Sequence, residues 1–530
     1  MRLSRRQAMQ ATLATLPLPL PALAAPRRAA GTEGQRRADL GDGRYLNPIV
    51  PGDHADPTVL KDGADYWMTF SSFQSIPGAV IWHSRDLLNW TPVCAALTQA
   101  IGTVWAMDLV KHAGRYYLYI PVLNEAGTGI YVIHAGDMRG PWSAPIDLGI
   151  PGCIDPGHVV GEDGRRYLFV SGGRRIRLRD DGLATDGPLE ANAWTPWRYP
   201  EDWVVEMFAP EGPKLFRRGG WFYLVAAVGG TAGPPTSHMV TVARSRSVHG
   251  PWEHCPYNPV VRTTGASEPW WSRGHATAVE GPSGDPDDWW LVYHGYENGM
   301  RTLGRQTLLE PIEWTADGWF HARGGRLDRP LPAPRGGQPG PAGAALSDDF
   351  SRSRLGLQWA LHAPGPDEAA QRLRWGPEGL LMRGKGRTMA DCSPLLCITG
   401  DRRYECSVEL EISGAAHGGL GLFYDERGHV GIGFSTTQRL TYGYGQEQTW
   451  MREPMATRRV HIRLRNDENV VSFQHSHDGG RTWVPHPWQM EVSGLHHNVF
   501  GGFASLRIAL FSAGAGEVRA RHFVYRGLPT

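Results

Sequence analysis

Residues 207–230 read MFAPEGPKLFRRGGWFYLVAAVGG. The stretch sets one carboxylate, Glu211, between Pro210 and Gly212-Pro213. A strand-like run follows, then a turn at Gly219-Gly220, then an apolar aromatic run over residues 221–228 that predicts a second strand. That second strand is too apolar to face water, so an acid stands at the mouth of a buried hairpin. A charge in such a place asks for a reason.

The same phrase recurs. Asp56-Pro57-Thr58-Val59-Leu60 leads through a turn at Gly63 to Tyr66-Trp67-Met68-Thr69-Phe70. Trp105-Ala106-Met107-Asp108-Leu109-Val110 leads to Tyr116-Tyr117-Leu118-Tyr119-Ile120, and Asp155-Pro156-Gly157-His158 to Tyr167-Leu168-Phe169-Val170. After the Glu211 copy comes Gly274-His275-Ala276, then Trp289-Trp290-Leu291-Val292-Tyr293. Outer phrases echo each other too, at residues 81–86, 131–135 and 240–245, and Gly140-Pro141-Trp142 matches Gly250-Pro251-Trp252. From Leu46 onward helical periodicity is nearly absent. Five copies at roughly 50–60-residue spacing, each with about four strands, predict an all-β five-bladed β-propeller over residues 46–325. The innermost strand of each blade lines the central channel. The first residue of each copy then lies near one mouth, where Asp56, Asp155 and Glu211 converge; Asp108 falls a few places past its slot.

The flanks carry other signals. Residues 1–25 read as a signal peptide, and Ser4-Arg5-Arg6-Gln7 makes it twin-arginine in type, with an ordinary secretory signal as the alternative. The expected location is periplasmic or secreted. Residues 326–345, rich in Pro, Gly, Arg and Ala, read as a linker. Alternating segments such as residues 404–412 and 460–465 predict a two-sheet β-sandwich over residues 346–530. The formal net charge of +1 gives no reason to expect nucleic acid or an anionic membrane as partner, and no other stretch is long and apolar enough to span a bilayer. Six cysteines lack the spacing of a zinc site and leave any disulfide pairing open. The 21 tryptophans serve an all-β core first, and stacking on sugar rings second.

Three convergent carboxylates in an aromatic-lined funnel suggest glycoside hydrolysis. That chemistry needs one protonated acid and one ionised carboxylate, and crowding pushes the pKa values of neighbouring acids apart. A set of ordered motifs then resembles glycoside hydrolase family 43: Asn47-Pro48-Ile49, Asp53-His54-Ala55-Asp56-Pro57, Ile154-Asp155-Pro156, Pro210-Glu211-Gly212-Pro213, Gly229-Gly230-Thr231, and residues 303–311, LGRQTLLEP. The resemblance implies a propeller of inverting enzymes acting on β-xylosides and α-L-arabinofuranosides. It implies Asp56 as general base, Glu211 as general acid, and Asp155 as the group that raises and orients that acid. The base and acid of an inverting pair stand about 6.5–9.5 Å apart. Arg305, Phe73, Trp105 and His275 match substrate-contacting positions, and His275 matches a neutral channel histidine that lies near a calcium ion in some relatives; no cofactor is required. The rear segment resembles the concanavalin-like sandwich (jelly roll) of β-xylosidases, which in some relatives sends a loop toward the active site. Asp155 is followed by Pro156-Gly157-His158 where relatives carry bulkier residues, so the pocket floor is expected to differ. The expected activity is that of a xylan 1,4-β-xylosidase on an oligosaccharide or polysaccharide. The alternatives are α-L-arabinofuranosidase, arabinanase, exo-galactanase, or a carbohydrate-binding propeller without catalysis. Oligomeric state is left open.

Overall fold

The computed structural model describes residues 31–529, so the predicted signal peptide lies outside the described residues. Five antiparallel sheets follow one another as blades. Blade 1 holds strands Thr58–Asp62, Asp65–Thr69, Gly78–Ser84 and Thr91–Leu97, and blade 2 is built on Asp108–His112, Arg115–Asn124 and Gly127–Ala135. Blade 3 has Gly157–Val160, Arg166–Val170 and Arg174–Leu178. Blade 4 runs from Glu211–Arg218 through Trp221–Val228 to Met239–Ser245, and blade 5 from Trp270–Glu280 through Trp289–Glu297 to Arg305–Trp314.

The aromatic strands are apolar because each blade buries both faces against its neighbours. A separate hydrophobic cluster fills each of the five interfaces. Val59 and Met68 meet Val292 and Leu309 where blade 1 meets blade 5, and Tyr223 and Val225 meet Leu291 and Tyr293 where blade 4 meets blade 5. The other three clusters join blades 1 and 2, 2 and 3, and 3 and 4. Asn47 ties the ring shut: its side-chain amide donates to the Leu309 carbonyl and its Oδ1 accepts from the Leu309 N–H, both at 2.9 Å.

Blade 3 departs from the four-strand expectation. It has three strands, and the chain then runs without a named strand from Arg179 to Pro210. Gly182, Gly187, Pro188, Pro196 and Pro200 break this stretch, and proline cannot donate to a ladder.

In the sandwich, two 21-residue strands, Arg403–Phe423 and Arg507–Gly527, pair along nearly their whole length. Burial alternates strictly over residues 403–412, as one face meets the core and the other water. The two domains share more than a tether. Blade 1 lends Ser75–Ile76 to the sandwich sheet through Ala360–His362. Phe73 and Ala55 of the propeller lie in the sandwich's own core cluster. The stretch read as a linker is itself pinned: Leu331–Pro332 pairs with Arg44–Tyr45, Leu327 is buried, and the Gly343 N–H donates to the Trp90 carbonyl at 2.8 Å. Glu297 of blade 5 receives Arg36 at 2.8 Å and Arg402 of the sandwich at 2.6 Å, an ion-pair node joining three parts of the chain. All six cysteines are free thiols.

Candidate active site

The predicted acids meet at one mouth of the channel because each stands where an inner strand begins. Asp56 and Asp155 both take a left-handed backbone, at φ 57° and 56°, just before a proline. His275 at φ 60° holds the same place in blade 5. In blade 4 that place belongs to Gly212, at φ 60°, so the expected equivalence of Glu211 with the two aspartates is off by one residue. The longer glutamate side chain reaches in from one position earlier. Gly212 has to be glycine: a Cβ there would sit 2.7 Å from His275 Nε2.

Asp56 is buried and fully engaged. Ser71 Oγ donates to its Oδ2 at 2.6 Å, and Arg305 donates to its Oδ1 at 2.9 Å. His294 Nδ1 lies 3.1 Å from both the Asp56 N–H and Oδ1, so the ring tautomer decides which of the two it bonds. His275 Nδ1 is 3.5 Å from Oδ1. Burial alone would raise this carboxyl, but Arg305 above all, then His275 and His294, hold it well below the ordinary carboxylate range. Asp56 is therefore ionised.

Glu211 is the opposite case. Burial first, then the charges of Asp155 and Asp56, push it well above the ordinary range. Burial and the Asp56 charge likewise lift Asp155 to about 7. Asp155 Oδ2 accepts the Gly212 N–H at 3.1 Å, which fixes the backbone next to Glu211. The side chain of Glu211 keeps 19% exposure toward the pocket, against 4% for Asp155. One ionised and one protonated carboxyl, steered apart by a third, is the arrangement that general acid–base cleavage needs.

Arg305 is held between two domains. Its guanidinium lies 5.9 Å from the Phe73 ring and 5.4 Å from the ring of Phe503, which belongs to the sandwich. Asp53 Oδ1 accepts the Arg305 N–H at 3.4 Å. Trp105 is half-buried and follows Val104, whose backbone bridges to Phe73; it packs against the same cluster as Phe73 and Phe503. The structure thus brings Asp56, Asp155, Glu211, His275, Arg305 and Phe73 together, with Trp105 next to Phe73.

One expectation is corrected here, and one residue gains a role. The Pro156-Gly157-His158 departure does not remodel the pocket floor. His158 turns into the interface of blades 2 and 3, where it stacks on Tyr119 at 5.7 Å and accepts from Arg166 Nε at 3.0 Å. Gly157 permits close blade contact, since a Cβ would lie 1.6 Å from the Pro213 carbonyl oxygen. Asp108, left without a role by its offset, is structural: it pairs with buried Lys214 at 2.8 Å and accepts the His158 N–H at 2.7 Å.

Sequence reading missed Ser71, His238, His294, Lys214 and Phe503. Ser71 had a signal, since Ser171 follows the corresponding strand of blade 3 and its N–H donates to the Ile154 carbonyl as that of Ser71 donates to the Ala55 carbonyl. His294 had one as well, a polar residue inside the wholly buried strand Trp289–Glu297.

Among the described residues, Glu211, His238 and His275 form the group whose donor atoms converge closely enough for a metal, within 4.8 Å. Burial holds all of the channel histidines neutral, with His275 lowered to about 3 and His238 and His294 also lowered. Calcium takes six to eight oxygen ligands. Two imidazoles and one protonated carboxyl do not fit it.

Comparison with known proteins agrees with this geometry. The family model of Glycosyl hydrolases family 43 matches residues 45–320, and that of the Beta xylosidase C-terminal Concanavalin A-like domain matches residues 347–525. A xylan 1,3-beta-xylosidase of Vibrio sp is 31% identical over 319 residues, 52% of this chain and 57% of its own length. A non-reducing end alpha-L-arabinofuranosidase of Bacteroides ovatus is 28% identical over 64% of this chain and 65% of its own length. The chain thus spans about three fifths of the curated relatives it matches. The crystal structure of the GH43 BlXynB protein from Bacillus licheniformis superposes with a TM-score of 0.80 at 25% identity, over 92% of this chain and all of that one. The first match covers more than half of the sequence and all five blades, including the three that carry the acids: the chain belongs to glycosyl hydrolases family 43.

Proposed function

We propose that this protein is an inverting, exo-acting glycosidase that removes terminal pentose residues from plant cell-wall oligosaccharides, as a xylan 1,4-β-xylosidase. The observation that carries the reading is the split in protonation between Asp56 and Glu211. Ionised Asp56 takes a proton from water as that water attacks the anomeric carbon. Protonated Glu211 gives its proton to the departing glycosidic oxygen. Asp155 keeps that proton in place and fixes the neighbouring backbone at Gly212. Arg305 contributes twice, by holding Asp56 ionised and by offering its remaining donors to sugar hydroxyls.

Exo action is supported by Phe503, which approaches Arg305 from the sandwich side, its ring 5.4 Å from the guanidinium. Pentosides are favoured because the Vibrio and Bacteroides relatives carry xylosidase and arabinofuranosidase names. No metal is invoked in either proton transfer. Export by the twin-arginine segment to the periplasm or beyond is part of the same proposal, checked by fractionating cells that express the full chain.

The test is turnover of nitrophenyl β-D-xylopyranoside against α-L-arabinofuranoside, with the first-formed anomer of a xylo-oligosaccharide followed by NMR. Release of α-xylose from a β-linked substrate supports the proposal. Release of β-xylose refutes inversion, and arabinose release without xylose moves the assignment to α-L-arabinofuranosidase. No turnover on any glycoside, with retained glycan binding, would leave a binding propeller.

A further inference from the structure

The sandwich carries an aromatic cluster that the pocket does not use. Trp450 is 75% exposed and Tyr444 52% exposed, and both flank the half-buried Trp488, with ring centroids 6.2 and 6.1 Å from it. Large apolar rings in water cost stability, so a row of three needs an explanation.

The two tryptophan rings are held by their surroundings. Trp450 Nε1 donates to Gln448 Oε1 at 3.2 Å, and Gln448 Nε2 donates to the Gly443 carbonyl at 3.1 Å. Trp488 packs against Gly443, where a Cβ would come within 2.8 Å of two of its ring carbons. The Trp488 backbone N–H donates to His486 Nδ1 at 3.1 Å, and His486 Nε2 bonds Thr441 Oγ1 at 3.0 Å. Tyr444 is the least expected. It and Gly445, at φ 50° and 83°, form the two-residue turn between paired Gly443 and Gln446. Such a turn wants Asn or Gly at its first position, and an aromatic residue there is strained. Strain kept at an exposed tyrosine points to a use for the ring.

The character of the surface identifies the ligand. Its rim is amide and ion pair, with Gln446, Gln448 and the Arg452–Glu447 contact at 2.5 Å, so the local charge cancels. That does not suit a polyanion or an anionic membrane. Three rings supply at most about 450–750 Å², below the roughly 800 Å² per partner of a stable dimer. Rigid rings beside planar amides suit a neutral chain that shows C–H faces and hydroxyl edges in turn, which is a pyranoside polymer.

The cluster is also connected to the pocket. Gly445 packs on the Arg427 backbone, the Arg427 guanidinium lies 5.6 Å from the Phe500 ring, and Phe500 stands three residues before Phe503 at Arg305. We propose that Tyr444, Trp450 and Trp488 form a second glycan-binding site, a platform that holds the backbone of a cell-wall polysaccharide outside the hydrolytic pocket. The platform follows from its own geometry; that the polymer is a xylan rests on the proposed function.

The test uses the full chain with Glu211→Gln, so that the polymer is not trimmed, in native gels containing soluble arabinoxylan, linear arabinan or galactan. Retardation by at least one polymer is expected. Adding Trp450→Ala or Tyr444→Ala should weaken it at least fivefold, and Trp450→Phe should restore most of it. In the active background Trp450→Ala should leave nitrophenyl glycoside turnover within twofold. Retardation by galactan alone supports the platform and refutes the xylan assignment, and retardation by arabinan alone, a furanoside, overturns the pyranoside reading. No retardation by any polymer, or equal retardation of the alanine variants, overturns the platform. So does a dimer, seen by light scattering, that Trp450→Ala converts to monomer while retardation is unchanged.

Discussion

Replacing Arg305 with glutamine separates its two assigned roles. Its guanidinium donates to Asp56 Oδ1 at 2.9 Å, and the pair is shielded from water, with side-chain exposures of 5% and 6%. At an effective dielectric of about 20, unit charges about 4 Å apart interact by about 4 kcal/mol. That is about 3 pKa units. His275 and His294 remain beside Asp56, and water will enter the space left by the guanidinium, so a rise of about 1–3 units is expected. The sign follows from the base role. Asp56 must be ionised to activate water, so activity is lost as pH falls through its pKa. In the native enzyme that pKa lies well below 3.8, and kcat/KM should be insensitive to Asp56 above pH ~4. In Arg305→Gln the acid limb should move up toward the ordinary carboxylate range, with activity at the optimum also reduced by the lost sugar contact. Arg305→Lys retains the charge and should keep the limb within about half a unit of native, at lower activity, because lysine lacks the fork. The assay is kcat/KM on a nitrophenyl glycoside from pH 3.5 to 9. An acid limb unmoved in Arg305→Gln, with activity merely lower, would refute the electrostatic role and leave Arg305 as a sugar contact only.

Other outcomes follow from the same geometry. Glu211→Gln should lower kcat on unactivated disaccharides by about 10²–10⁴ and on nitrophenyl glycosides much less, because a good leaving group needs little protonation. The same substitution should raise Tm increasingly as pH rises above ~4.5: the native carboxyl binds its proton more tightly than the unfolded one, so the native protein loses stability with rising pH until Glu211 ionises, and glutamine removes that loss. Glu297→Ala strands Arg36 and Arg402 and should cost about 3 kcal/mol in chemical denaturation, the low end for a buried pair because Arg402 is 37% exposed. Burial opposes, but Arg36 and Arg402 hold Glu297 at about 2; its stabilisation is therefore complete above pH ~4.5 and is lost as pH falls toward 2, which acid denaturation of the two proteins will compare. Phe503→Ala should raise KM for a terminal pentoside about tenfold with kcat changed less, and equal KM values would remove Phe503 from the pocket wall.

Much of the propeller was legible because its signal repeats. A single Asp-Pro turn says little, but Asp56, Asp155 and Glu211 recur in step with five aromatic strands, and a repeat of that length has few architectures that bury every strand. The same reasoning misjudged positions by small amounts. Register along a strand shifts freely in sequence comparison, and only the left-handed backbone at Gly212 shows that Glu211 stands one residue before its aspartate counterparts. Blade 3 was expected to match its siblings, and its prolines and glycines made it shorter.

By itself, then, the sequence determined which residue types recur and at what interval, and so the blades, the sandwich and the identity of the three acids. Tertiary structure alone decided their charge states. Asp56 and Glu211 are both buried carboxyls, and nothing local distinguishes an ionised one from a protonated one. The difference comes from Arg305, 249 residues from Asp56 along the chain, and from His275 and His294 of blade 5. Phe503 reaches the pocket from a separate domain for the same reason. Electrostatic environment depends on distance in space, and short-range patterns in a chain do not record it.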